Sequence, residues 1–295
     1  MSMKEFIYQF VNTVWSYIRV VRFSKKSKML FPQTKNEEII LLGNGPSFKE
    51  TLLEHMEYLK SHDTFAVNHF CKQEDYKEIE PTNYIILDSK IFLKDVEESF
   101  RVAKKELFNA LIDNTTWDMN LFIPAVTDIK DEFEQLMKEN SHIKVHYFNF
   151  TTLEGFPSLI YPLYDKGLGM PFAGNVMVSA IMLSMQMGYK KIKLVGADHS
   201  FHLVTTVNDD NHLCARESHF YKEKIVDAPL YSDVKKEKQL LVHEYFKHTY
   251  MQFQSYHQLQ AYSQYKDVEV INASVLSYID AFKREKLNRK GSHDV

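Results

Sequence analysis

The alternation of apolar and polar stretches along the chain is typical of an α/β domain. Short apolar runs of a strand's length alternate with longer segments that have helical periodicity. The predicted strands are 38–42, 64–68, 84–88, 121–124, 143–148, 191–196 and 268–272. The predicted helices are 48–60, 93–110, 128–139, 175–187 and 237–265. This order predicts an α/β fold with a Rossmann-like, doubly wound and mainly parallel sheet.

The first thirty residues have a different pattern, in which apolar residues recur at helical spacing. These residues are Phe6, Ile7, Phe10, Val11, Val14, Trp15, Ile18 and Val21. Basic residues accompany them, at Lys4, Arg19, Arg22, Lys25, Lys26 and Lys28. A basic amphipathic helix is typical of segments that lie on an anionic membrane, but it also fits a helix that packs on its own domain or on a partner chain. We predict a separate helix over residues 1–30, and the basic cluster favours the membrane surface.

The rest of the chain divides by composition. Residues 37–282 contain all the predicted strands and form the expected catalytic domain. Within it, residues 202–235 are polar and have no clear period, which predicts a long loop or lid. Residues 283–295 are basic and polar, and we expect them to be a mobile tail.

Polar residues end or directly follow several predicted strands. They are Asn44, Asn68, Asp88, Ser89, Asp198, His199 and Asn272. Because the carboxyl ends of parallel strands meet at one edge of a sheet, we expect these side chains to line a ligand site. The alternative is that Asn and Asp cap the helices that follow. Because there are seven such residues, the pattern favours a ligand site over capping alone.

Two segments that precede helices indicate a phosphate site. The loop 43–47, Gly-Asn-Gly-Pro-Ser, follows the first strand, and Gly174-Asn175 opens the helix that starts at 175. Backbone N–H groups at a glycine loop and at a helix N-terminus suit an anion. The loop matches neither GxGxxG nor a Walker A motif, so the loop by itself is weak evidence.

Composition excludes several classes of function. The net charge is −3, which gives no reason to expect nucleic-acid binding. The two cysteines have no metal-ligand spacing, and we find no HExxH motif and no metal site among the 13 histidines. No apolar run is long enough to span a bilayer. We therefore expect a cytoplasmic protein, with peripheral attachment to the inner face of the cytoplasmic membrane if the N-terminal helix binds lipid.

Several of these segments resemble the bacterial sialyltransferases of glycosyltransferase family 42. The strand and loop ending at Ser47 resemble their opening, and Val67-Asn68 resembles their second nucleotide-contacting position. The segment 188–198, GYKKIKLVGAD, is similar to their GYKxIxLxGxD, and Ser218-His219-Phe220 resembles their Ser-His-Tyr. The same signatures also resemble a wider group that contains the Maf flagellin-glycosylation proteins and the MptE-like pterin diphosphokinases.

The resemblance implies a CMP-activated nonulosonic acid, such as sialic acid, as donor substrate, with no metal and no cofactor. It implies that His219 is the general base. The residues that it assigns to the donor nucleotide and sugar are Asn44, Gly45, Ser47, Asn68, Asp88, Ser89, Gly174, Asn175, Gly196 and Asp198. The pattern of polar strand ends adds His199 to the donor site.

The expected function is therefore transfer of a sugar to a surface glycan or a lipid-linked precursor, as in lipopolysaccharide or capsule biosynthesis. One alternative is a pterin diphosphokinase that uses ATP and Mg²⁺, for which Asp88 and Asp198 are the candidate metal ligands. The other is a non-catalytic nucleotide-binding assembly protein. Each of these three functions is compatible with a homo-oligomer.

Overall fold

The computed structural model describes residues 1–25, 31–34, 36–93, 98–127, 129–216, 227–233 and 236–287. Its strands are β1 Glu38–Leu42, β2 Asp63–Val67, β3 Asn83–Ile85, β4 Met119–Pro124, β5 Ile143–Phe148, β6 Lys191–Val195, β7 Thr205–Val207, β8 Leu213–Arg216, β9 Asp227–Pro229, β10 Glu269–Asn272 and β11 Lys283–Arg284. Its helices are α1 Met3–Phe23, α2 Phe48–Lys60, α3 Asp75–Ile79, α4 Ser89–Phe92, α5 Glu98–Asn114, α6 Lys130–Met137, α7 Pro157–Asp165, α8 Val176–Met187 and α9 Val242–Tyr265.

A parallel sheet forms the centre of the molecule. Within the described ranges it has eight strands in the order β11-β10-β6-β1-β2-β3-β4-β5. Every pairing in it is parallel. The chain first builds outward from β1 to β5 and then returns to the other side of β1 with β6, so the direction of winding reverses between β1 and β6. The predicted α/β, Rossmann-like fold class is confirmed.

Both faces of this sheet are buried, which explains why its strands are continuous apolar runs rather than alternating ones. Ile39 and Leu41 point to a core that includes residues of α7, α8 and α9. Ile40 and Leu42 point to a second core, which includes residues of α2, α3, α5 and α6. Adjacent side chains of a strand therefore serve opposite layers.

Several elements were not predicted. Helix α7 escaped prediction because it contains Pro157 and Pro162, and proline usually marks a loop or a helix end. Pro157 stands at the first helical turn, where the missing N–H costs nothing. The lid region is also not a plain loop: β7, β8 and β9 form an antiparallel sheet, in strands too short for a sequence pattern to reveal.

The sheet continues into the predicted C-terminal tail. Lys283 and Arg284 form β11, which pairs with Ile271 and Asn272 of β10. Leu287 is buried against the second core. The expectation of a mobile tail is therefore wrong for residues 283–287, and residues 288–295 lie outside the described residues. A two-residue strand has no periodicity that a sequence pattern could reveal.

The predicted N-terminal helix is present as α1, and it packs on the domain through its polar side. The Ser16 hydroxyl donates to the carbonyl of Glu154 at 2.7 Å and accepts from the Glu154 N–H at 2.8 Å. Thr13 Oγ1 accepts from the N–H of Phe156 at 2.9 Å. Gly155, between these two residues, has a φ of +135°, and a Cβ there would overlap Thr13. In the described part of the chain, no helix has the length and apolar content to cross a bilayer.

Candidate functional site

The carboxyl ends of β1, β2 and β6 surround a cavity of about 430 Å³, which the first turn of α8 closes on another side. Val204 and Ala215 of the lid region also line it. The predicted site residues that line this cavity are Asn44, Gly45, Asn68, Asn175, Gly196, Asp198 and His199. Residues far apart in the sequence therefore meet at the edge of the sheet where ligands bind in this class of fold.

Three other predicted site residues, Ser47, Gly174 and Asp88, do not line this cavity. Ser47, just before α2, donates to Asp198. Gly174 precedes Asn175, and its carbonyl accepts a hydrogen bond from Gln252 Nε2 at 2.8 Å. Asp88 follows β3, but it is not among the residues that line the cavity.

The last two predicted site residues are Ser89 and His219. Ser89 begins α4. His219 lies outside the described residues.

The glycine loop contacts β6 rather than offering open N–H groups. The N–H of Gly43 donates to the carbonyl of Val195, and that of Gly45 donates to the carbonyl of Gly196, both at 2.8 Å. A Cβ on Gly45 would lie 2.5 Å from the Gly196 oxygen. The expectation that this loop presents free N–H groups to an anion is therefore wrong at these positions, since the neighbouring strand end uses them.

The N-terminus of α2 already holds a carboxylate. Asp198 Oδ2 accepts from the N–H of Ser47 at 2.8 Å, and Oδ1 accepts a short hydrogen bond from the Ser47 hydroxyl. Negative charge is favourable at this end of a helix. Burial nevertheless raises the pKa of Asp198, although the Ser47 bonds and the charge of Arg284 oppose the shift. Asp198 thus caps a helix, but this helix is α2, which follows β1, and not the element that follows its own strand, as the capping alternative expected.

The N-terminus of α8 is the one that faces the cavity. Asn175 caps it, with Oδ1 accepting from the N–H of Met177 at 2.8 Å. Asn175, Val176 and Met177 all line the cavity. Because the helix dipole places partial positive charge at this end, α8 can bind an anion there.

Asn44 carries a buried hydrogen-bond acceptor that lacks a donor. Its Nδ2 donates to the carbonyl of Val67 at 3.2 Å, which sets the orientation of the amide. Its Oδ1 is buried and has no partner among the described residues. Most buried polar atoms in native proteins are paired. Asn44 itself lines the cavity, so its side chain is a candidate ligand contact.

Asn68 and His199 turn the chain at the ends of β2 and β6. Both have left-handed backbone conformations, with φ of 49° and 54°. Asn68 Oδ1 accepts from the N–H of Leu87 at 3.0 Å, which ties the end of β2 to the end of β3. His199 Nε2 lies 2.5 Å from the hydroxyl of Tyr256 in α9. Burial lowers the pKa of His199 to about 4, so its ring is neutral at neutral pH.

A second cavity of about 700 Å³ adjoins the first. The two share Asn175 and Phe201 as lining residues. Its other walls come from the lid region and the first turns of α9, and include Tyr231, Glu244, Tyr245, Lys247, His248 and Gln252. The sequence predicted this helix but not the cavity, because a polar helix end has the same pattern as a solvated surface.

The described residues contain no group of three or more His, Cys, Asp or Glu side chains that could hold a metal ion. Asp88 and Asp198, the candidate Mg²⁺ ligands of the diphosphokinase alternative, do not line the cavity together. Both oxygens of Asp198 accept hydrogen bonds from Ser47.

Comparison with known proteins does not assign the chain to a family. No family model matches the sequence, and no curated protein matches it. A solved structure with some similarity is a MAf glycosyltransferase from Magnetospirillum magneticum AMB-1, with 10% sequence identity and a TM-score of 0.47. The match covers 96% of this chain and 39% of that one, so the chain spans about two fifths of its length. At this distance no substrate and no residue role carries over, and the family 42 resemblance stays a prediction.

The buried His199 predicts a pH dependence of stability. A histidine in the unfolded chain titrates near 6.5, whereas in the folded protein burial lowers the pKa to about 4. Between these values the unfolded state binds more protons, so the free energy of unfolding decreases as the pH falls from about 6.5 to about 4. We expect His199→Gln to flatten this slope by up to about 1.4 kcal/mol per pH unit.

The measurement is urea unfolding at a series of pH values. His243→Gln is the matched control, because the side chain of His243 is exposed. Equal slopes for wild type and His199→Gln would contradict the assignment.

Proposed function

We propose that the chain is a glycosyltransferase that moves a sugar from a nucleotide-activated donor to a glycan or lipid-linked acceptor. The observation that carries the proposal is the pair of adjoining cavities that share Asn175 and Phe201. Transfer between two bound substrates needs two adjacent sites whose reacting atoms meet at their junction.

In this proposal the first cavity binds the donor. Its phosphate lies at the N-terminus of α8, where backbone dipoles favour an anion without a bound metal. Asn44 Oδ1, which has no partner among the described residues, accepts from a hydroxyl or amino group of the nucleoside. The sequence resemblance favours CMP linked to a nonulosonic acid as the donor.

The second cavity binds the acceptor. Tyr231, Tyr245 and Phe201 offer aromatic surfaces, and Glu244 and Gln252 offer polar groups. Such a combination suits a sugar, whose ring has apolar faces and hydroxyl edges.

The reaction is a direct displacement at the anomeric carbon. A general base removes the proton of the acceptor hydroxyl as its oxygen bonds to that carbon. The bond from the carbon to the phosphate oxygen breaks, and the phosphate leaves with the electron pair. The N-terminus of α8 stabilises the charge that develops on this phosphate. His219 is our proposed base, from its resemblance to the family motif.

A thermal-shift titration with CMP, CDP, UDP, ADP and ATP, each with and without Mg²⁺, tests the donor site. CMP at about 100 times its Kd should stabilise the folded state by about 2.7 kcal/mol, a rise in Tm of roughly 5 °C, without Mg²⁺. Stabilisation by ATP only with Mg²⁺ would favour the diphosphokinase instead. No response to any nucleotide would contradict both enzymes and favour an assembly protein with a degenerate site.

A substitution at Asn44 places the binding in the cavity. Asn44→Leu removes the unpartnered acceptor, and we expect it to weaken CMP binding about tenfold or more. Asn114→Leu is the matched control, because Asn114 also donates one amide hydrogen bond to a backbone carbonyl, that of Cys71 at 3.0 Å. Equal CMP affinity in Asn44→Leu and Asn114→Leu would place the nucleotide elsewhere.

His219→Ala tests the base. We expect loss of transfer by about 100-fold or more, with CMP binding unchanged, measured as turnover of donor and acceptor beside the thermal shift. His243→Ala, at an exposed histidine that lines neither cavity, is the comparison variant and should keep wild-type turnover. If His219→Ala keeps wild-type turnover, the base assignment is wrong.

A further inference from the structure

Helix α1 is docked with its apolar side outward. Successive helical residues are rotated by about 100°, so Thr13, Ser16 and Val20, which are buried, lie on one side of the helix. The opposite side, which we name the outer face, is 44% to 75% exposed at each residue. The outer face consists of Met3, Ile7, Phe10, Val11, Val14, Trp15, Ile18 and Val21.

This orientation is fixed by specific contacts. Besides the bonds of Thr13 and Ser16 described above, the Ser24 hydroxyl donates to the carbonyl of Leu168 at 2.6 Å. The N–H of Lys25 donates to Asn149 Oδ1 at 2.9 Å. Because polar groups of α1 are paired with the domain, turning the outer face inward would break these bonds. These contacts thus keep the apolar outer face exposed at the molecular surface.

The charge of residues 1–25 indicates what kind of surface the outer face binds. Residues 1–25 hold the basic residues Lys4, Arg19, Arg22 and Lys25 and a single acidic residue, Glu5, although the whole chain has a net charge of −3. Lys4 and Arg22 are eighteen residues, or five helical turns, apart and therefore share one angular position, between those of Val11 and Trp15. Both ends of the outer face accordingly carry a cation.

We propose that the outer face of α1 binds the surface of an anionic lipid bilayer. Apolar residues with a Trp enter the acyl boundary, while long basic side chains reach the lipid phosphates. A second copy of the helix fits less well, because two outer faces in contact would bring Lys4 and Arg22 of both copies into one interface. This inference stands independently of the proposed glycosyl transfer.

A further cavity lies beside the docked helix. A cavity of about 550 Å³ lies between Arg19 and Phe23 of α1 and Phe172 and Ala173, which precede the Gly174-Asn175 pair. Its walls are largely aromatic and apolar, and include Phe148, Phe150 and Met251.

Vesicle flotation of the full chain tests the proposal. The vesicles are phosphatidylcholine alone and phosphatidylcholine mixed with phosphatidylglycerol. We expect binding to the mixed vesicles, weaker binding to the neutral ones, and release by salt. The double variant Ile7→Ser, Ile18→Ser should reduce partitioning about tenfold or more.

Leu53→Ser with Val102→Ser is the matched control, because these two apolar residues are also exposed, on α2 and α5. Circular dichroism and Tm show whether each variant folds. Equal vesicle binding by the two double variants would overturn the proposal. It would also be overturned if wild type ignored both vesicles and formed a dimer that the Ile7→Ser, Ile18→Ser variant abolished, since the outer face would then be a protein interface.

Discussion

The close approach of the carboxyl ends of β1 and β6 determines the geometry of the candidate site. The carbonyls of Val195 and Gly196 accept from Gly43 and Gly45 at 2.8 Å, and a side chain on Gly45 would collide with Gly196. Ser47 and Asp198 then join the same two segments and cap α2. Asn44 and His199 reach one cavity because these backbones touch. A chain without glycine at these positions would separate the two strand ends and with them the walls of the site.

This contact also decides which helix end can receive a ligand. Two helix N-termini, those of α2 and α8, point to the same edge of the sheet. Asp198 neutralises the first, and the second lines the cavity through Asn175, Val176 and Met177. An anion would be repelled by the Asp198 carboxylate and attracted by α8. In the proposed donor site, this difference in charge favours phosphate on the α8 side and a neutral part of the ligand on the Asn44 side.

The sequence predicted those features that depend on local pattern. Continuous apolar runs such as 38–42 are buried on both faces, so they predict parallel strands, and the residues that follow them predict the site edge. It could not predict that the Gly45 N–H would donate to the Gly196 carbonyl, because that bond joins two strand ends that are far apart in the sequence. The helical period of α1 was likewise visible, but its docking through Thr13 and Ser16 is opposite to the usual burial of an apolar stripe. The lid strands and β11 are too short to carry a pattern.

A crystal structure of the protein soaked with CMP tests the central claim most directly, that the edge formed by β1, β2 and β6 is the nucleotide site. The account predicts phosphate density at the first turn of α8, with a nucleoside hydroxyl or amino group within hydrogen-bond distance of Asn44 Oδ1. Nucleotide bound elsewhere on the molecule, with this cavity filled by solvent alone, would contradict it.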